Sequence, residues 1–163
     1  MIILKILGFF RWLIVAWTIG ATAPVAAQLL LADDLARLAA AARIQRAPLL
    51  IHFMEHSCPY CAIARRDYLI PLQNDPKWRG RVLIREIDVG RSTALRDFDG
   101  KTTTHLSFAR SHGVRRVPTL IAFDAEGKAV APPIVGLLAD DFYRLYIEQA
   151  LEAGLVKMRP RKP

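Results

Sequence analysis

Apolar side chains recur along this chain in two rhythms. From residue 28 to 46 they fall three or four apart. Leu31, Leu35, Leu38 and Ala42 share one face, which predicts an amphipathic helix with Asp33 and Asp34 near its start, where acids suit the dipole. Leu49 to Met54 is instead a near-continuous apolar run, interrupted by His52, and reads as a buried strand. A second helix is predicted from Pro59 to about Ile70. Pro59 suits a first helical position, where a missing N–H costs nothing, and Pro71 should kink or end the helix. After the turn-rich residues 74–80, Arg81 to Val89 reads as a second strand. Its apolar content is too continuous for an edge open to water, so it is placed inside the sheet.

Residues 90–104 carry the least regular pattern, with a turn signal at Asp99-Gly100. Thr103 or Thr104 can cap a third helix that ends near His112-Gly113. Leu120 to Phe123 forms a third strand, Asp124 to Gly127 a hairpin turn, and residues 128–137 a fourth strand. Pro132-Pro133 argues for an edge or a bulge there. A last amphipathic helix over 139–153 carries Phe142, Leu145, Tyr146 and Leu151 and stops at Gly154. The order predicts an α/β domain: parallel strands joined by helical crossovers, then an antiparallel hairpin.

Composition changes this picture at the chain's start. Residues 1–27 hold no acid; Lys5 and Arg11 precede an apolar stretch from Trp12 to Ala23, and small residues follow up to Ala27. This is the pattern of a secretory signal peptide cleaved near Ala27, or of an uncleaved membrane anchor; either predicts an exported domain. The expected organisation is 1–27 leader or anchor, 28–155 one domain, and 156–163 a basic, disordered tail. The net charge of +8 falls by two without Lys5 and Arg11. Arginines are scattered from Arg37 to Arg116 rather than gathered with aromatics, so nucleic acid is not an expected partner. The basic balance suits solubility, anionic surfaces or acidic partners.

The two cysteines, Cys58 and Cys61, stand in Glu55-His56-Ser57-Cys58-Pro59-Tyr60-Cys61, between the first strand and second helix. Such a pair can close a disulfide or supply half of a metal site. A disulfide around two intervening residues removes little chain entropy, which makes reactivity a better explanation than stapling. Cys58 falls at the positive end of the helix, where a thiolate is stabilised. A zinc site needs two more ligands; His52 and His56 are candidates, while His105 and His112 are too widely spaced.

The CxxC at a strand-to-helix turn, with Val117-Pro118-Thr119 about 55 residues later and a hairpin carrying Asp124-Ala125-Glu126-Gly127 and then Gly136, resembles the thioredoxin-like superfamily. The similarity is greatest to exported bacterial thioredoxin-related proteins with Cys-Pro-Tyr-Cys and an Asp-Gly insert, here Asp99-Gly100. The resemblance implies a thioredoxin-like α/β fold, a central mixed four-stranded sheet with helices on both faces, preceded by the apolar leader helix. It implies a cis peptide bond before Pro118, attack by Cys58, resolution by Cys61, and a groove shaped by Pro118, Val117, Thr119, Pro59 and Tyr60. It further implies a periplasmic, monomeric thiol–disulfide oxidoreductase with protein disulfides or dithiols as substrates and a membrane redox donor or acceptor. The cofactor is none beyond the disulfide itself.

Reduction, in sulfur oxidation or cytochrome c assembly, is the expected direction; disulfide formation or isomerisation is the alternative within this chemistry, and a Cys/His metal module the alternative outside it. Two departures stand out. Ordinary thioredoxins have Trp-Cys-Gly-Pro-Cys and a buried Asp six residues before the first Cys, whereas Ser57 and His52 occupy those places here. His52 is thus a candidate to manage the Cys61 proton, and His56 to favour the Cys58 thiolate against opposition from Glu55.

Overall fold

The computed structural model describes residues 28–138 and 140–159. The predicted leader at 1–27 and the last four residues lie outside them. Helix α1 (Leu35–Gln45) starts where Asp34 caps it, the Asp34 carboxylate accepting from the Arg37 N–H. Residues 28–34 are therefore not helical, contrary to the helix that the apolar spacing predicts from residue 28. They run extended beside strand β2 (Leu83–Asp88), with the Ala32 N–H donating to the Glu86 carbonyl and the Glu86 N–H to the Leu30 carbonyl. The capping carboxylate outcompetes the continuing periodicity, and the freed segment covers an exposed strand edge.

Strand β1 (Leu49–Met54) is buried along its whole length. It pairs in parallel with β2 and antiparallel with β5 (Thr119–Phe123), which pairs with the short β6 (Ile134–Val135). The sheet order is β2-β1-β5-β6. β2 is thus an edge of the four-stranded sheet, not an interior strand. Its expected shelter from water comes from residues 30–32. The predicted fourth strand shrinks to two residues because Pro132-Pro133 lack donors for a longer ladder.

Alternate residues of β1 supply two core layers. Leu49, Ile51 and Phe53 pack with Leu35, Leu38 and Ala42 of α1 and with Phe108 and Ala109 of α4 (His105–Ser111). Leu50 packs on the other face with Ala64, Leu69 and Leu72 of the second helix and with Tyr143, Ile147 and Leu151 of α5 (Asp140–Lys157). The irregular segment after β2 forms a small antiparallel hairpin, β3 (Ala94–Arg96) and β4 (Thr102–Thr104), and Thr104 caps α4 by accepting from the Ser107 N–H.

The second helix does not stop before Pro71. It runs as α2 (Pro59–Ile63), a π-helical turn (Ala64–Leu69) and α3 (Ile70–Asn74). The Ile70 N–H donates five residues back to the Arg65 carbonyl, and this wider turn accommodates a proline that can donate nothing. The last helix likewise passes through Gly154 to Lys157, and Met158 packs on the core, so the ordered chain extends into the expected tail. Its buried face is also rotated from the predicted one. Tyr143, Ile147, Ala150, Leu151 and Leu155 face inward, while Phe142, Leu145 and Tyr146 are exposed.

Candidate active site

Register brings the distant motifs together. Met54 of β1 lies opposite Asp88 of β2, and Phe53 lies opposite Thr119 of β5. The turns following β1 and β2 and the turn preceding β5 therefore leave the sheet at one end. Cys58, Val89 and Pro118 belong to those three turns.

Cys58 and Cys61 are joined in a disulfide. Cys58 is the N-cap of α2, and its Sγ accepts from the Cys61 N–H at 3.1 Å. A negative sulfur at that place would meet a backbone donor and the positive end of the helix. The two sulfurs differ in access: Cys58 is partly exposed, whereas Cys61 is 1% exposed. Pro59 and Tyr60 both face solvent, Tyr60 with 60% of its surface. The Val117–Pro118 bond is cis, Pro118 and Thr119 are buried, and the Thr119 hydroxyl donates to the Arg116 carbonyl at 2.7 Å. The N–H and C=O of Val117 take no partner among the described residues.

His52 is fully buried on the β1 face that meets the second helix. Its Nδ1 lies 2.8 Å from Glu86 Oε1, directly across the β1–β2 pairing. The same oxygen accepts from Arg65 Nε at 2.8 Å, and Arg65 lies one turn beyond Cys61 on the helix. Burial alone would raise the Glu86 carboxyl. The hydrogen bonds and positive charge offered by His52 and Arg65 outweigh it and hold the carboxyl below the ordinary glutamate range. His52 Nε2 is buried with no hydrogen-bond partner among the described residues. With Nδ1 turned to Glu86, Nε2 is the ring nitrogen left without a partner. The buried carboxylate partner of His52 is thus Glu86, one strand away.

His56 is placed differently. Its side chain is 70% exposed, and its Nδ1 lies 3.6 Å from Asp88 Oδ2 rather than on a sulfur. Asp88 is itself buried and is also met by Arg91 and by the Gly90 N–H. Glu86, Arg65 and Asp88 were not singled out from the sequence. Their signal was available: Glu86 and Asp88 are acids inside a predicted buried strand, and parallel pairing with β1 places Glu86 opposite His52. Among the described residues no group of three or more His, Cys, Asp or Glu is arranged to hold a metal ion.

A family model described as a thioredoxin-like domain matches residues 35–151. Thioredoxin O2 of Arabidopsis thaliana in the oxidised state is similar in structure, with a TM-score of 0.50 at 19% identity; the match covers 76% of this chain and 91% of that one. Oxidised mitochondrial thioredoxin 3 of Saccharomyces cerevisiae gives a TM-score of 0.51 at 16% identity, covering 76% and 93% of the two chains. Comparison with curated proteins by sequence gives no match. The two solved structures speak for the fold, and the family model extends over both the cysteine pair and the cis-proline. With a redox disulfide at the head of its second helix, this chain belongs to the thioredoxin-like family and is a thiol–disulfide oxidoreductase.

Proposed function

We propose that the chain is an exported reductase of protein disulfides. The observation that carries this reading is the unequal exposure of the two sulfurs at a helix N-terminus. The accessible Cys58 is the nucleophile, and the enclosed Cys61 is the resolving thiol.

In the reduced protein, the Cys58 thiolate attacks a substrate disulfide. A Cys58–substrate disulfide forms, and the substrate's other sulfur leaves as a thiolate. Cys61 then loses its proton and attacks Cys58 Sγ; the protein disulfide closes, and the second substrate sulfur departs. Two electrons pass to the substrate, and a dithiol donor must return them. His52 Nε2 is the proposed acceptor of the Cys61 proton. It is the unpartnered base on the sheet face beneath the helix, and Glu86 stabilises the imidazolium that results. Glu86 lines a cleft of about 360 Å³ with Met54, His56 and Arg65, and this is the proposed exit for the proton. Val117 would pair its free N–H and C=O with an extended substrate, with Pro118 and Thr119 fixing that edge and Pro59 and Tyr60 bordering it.

The reductive direction is supported by how little the site offers a thiolate. Among the described residues the donor to Cys58 Sγ is the Cys61 N–H, and His56 is turned toward Asp88. Strong oxidants stabilise their reduced form far more than this. Export rests on the apolar, acid-free residues 1–27, and a membrane-borne dithiol is the donor class that such a location requires. No helix among the described residues is long and apolar enough to cross a membrane.

The test is trapping. The Cys61→Ser variant should accumulate a mixed disulfide on Cys58 with protein substrates, and Cys58→Ser should accumulate none. Trapping that depends on Cys61 instead would reverse the assigned roles.

A further inference from the structure

The groove beside the cis-proline has a charge, and it has not been neutralised by the protein. A cleft of about 440 Å³ runs from Glu55, whose carbonyl accepts from the Cys58 N–H, past Val89 and Val117 to Arg110, Arg115 and Arg116. All three arginines are exposed, and none has a carboxylate partner among the described residues. Arg37, Arg43, Arg65, Arg66, Arg91 and Arg144 each meet an acid within 3.2 Å, whereas Arg46, Arg79, Arg81 and Arg85 meet none among the described residues but do not line this cleft. Arg115 and Arg116 also line the adjoining cleft of about 250 Å³ on the other side of their loop, toward Val135. Glu55 is the one acid on the wall of the larger cleft, and its side chain lies against Gly90, where an added Cβ would come 3.1 Å from Glu55 Cγ.

Three unpaired guanidinium groups near the unpaired backbone of Val117 repel one another and cost the free protein stability, while they attract an acidic ligand. We infer that the substrates of this site are acidic polypeptides, with Asp or Glu flanking the cysteine that Cys58 attacks. This rests on the exchange reading above and adds the substrate class to it. A peptide strand added at Val117 projects alternate side chains to one side, and carboxylates there would meet Arg115 and Arg116 bidentately.

The experiment compares short peptide disulfides of one sequence, with flanking residues Glu, Gln or Lys, as substrates of the reduced full chain. At about 20 mM salt the Glu peptide should exceed the Lys peptide in kcat/KM by about tenfold, and the ratio should shrink at about 300 mM salt as the charges are screened. Arg115→Glu/Arg116→Glu should abolish or reverse the ratio. Arg79→Glu/Arg81→Glu makes the same change in net charge in the turn before β2, at the opposite end of the sheet, and should keep it. Equal rates for the three peptides, or equal loss of preference in both double variants, would overturn the inference while leaving the exchange reading intact. A wild-type protein that reduces none of the peptides, judged by free thiol released, would instead remove the exchange reading on which the inference stands.

Discussion

At the scale of single residues, the site is built on a substitution that the sequence showed only in part. His52 stood out as an imidazole where a carboxylate was expected, but its meaning depends on Glu86, which the pairing of β1 with β2 places opposite it. One histidine can be read from a pattern, whereas a partner one strand away needs the register. The pair gives two predictions. His52→Gln keeps a donor for Glu86 but removes the base. Resolution of the Cys58 mixed disulfide should slow by about a hundredfold near neutral pH. Stopped-flow measurement of the two steps checks this, and equal slowing of the Cys58 attack would mean that His52 acts only through the fold.

Glu86→Gln should cost about 2 kcal/mol at neutral pH, less than for a fully enclosed ion pair because Arg65 is partly solvated. The sign with pH follows from the depressed carboxyl. Folded below its unfolded value of 4.5, Glu86 contributes fully above that pH and loses its contribution as pH falls through the folded value. Urea titrations of wild type and variant should therefore converge on the acid side. A gap that stays constant between about pH 7 and about pH 3 would assign the loss to packing rather than charge.

Among the elements, the order of helices and strands followed from period and turn chemistry, and the departures each have a local cause. Asp34 captures the Arg37 N–H and starts α1 late; the π turn carries the second helix through Pro71. In the last helix, the expected face was wrong because Phe142, Leu145 and Tyr146 are apolar without being inward. Periodicity alone cannot choose between two adjacent apolar stripes. Gly154 misled for another reason. A glycine near a helix end suggests a stop, but here it permits contact: an added Cβ would lie 2.6 Å from Pro48 Cβ and 2.9 Å from its Cγ. Ala at this position would bring about 1 kcal/mol of helix propensity and lose about 1–3 kcal/mol to overpacking against a rigid ring. Gly154→Ala should therefore lower stability by about 1 kcal/mol, read as a lower urea midpoint at unchanged slope; a stabilised variant would show that the helix slides to relieve the contact.

Gly127 plays a comparable part for the irregular excursion. Its positive φ of 73° turns the chain after β5, and the space a Cβ would take is filled by Phe98, which packs in turn against Phe108 and Phe123. The turn signals at Asp99-Gly100 and Gly127 were visible separately. That one anchors the other through Phe98 was not, since the contact spans 29 positions and obeys no local period.

For the whole molecule, redox state and folding form one thermodynamic cycle. The difference in unfolding free energy between oxidised and reduced protein equals the difference between the potentials of the cysteine pair in the folded and unfolded chain, with about 1.4 kcal/mol for each 30 mV. A site that greatly favours the thiolate makes the reduced fold the more stable one and the protein an oxidant. Here Cys61 is enclosed, the Glu86 carboxylate lies within the layer beneath the helix, and His56 is engaged by Asp88, so the folded environment gives a second thiol little and a thiolate only the helix start and one N–H. Reduction should therefore destabilise the fold. Urea unfolding with and without a strong dithiol reductant should show the oxidised form more stable by about 1–3 kcal/mol, corresponding to a folded potential lower than that of the unfolded pair by about 20–65 mV. A reduced form more stable than the oxidised one would reverse the direction of electron flow proposed here. The acidic-substrate groove would still stand, because Arg115 and Arg116 would attract a reduced acidic chain as readily as an oxidised one.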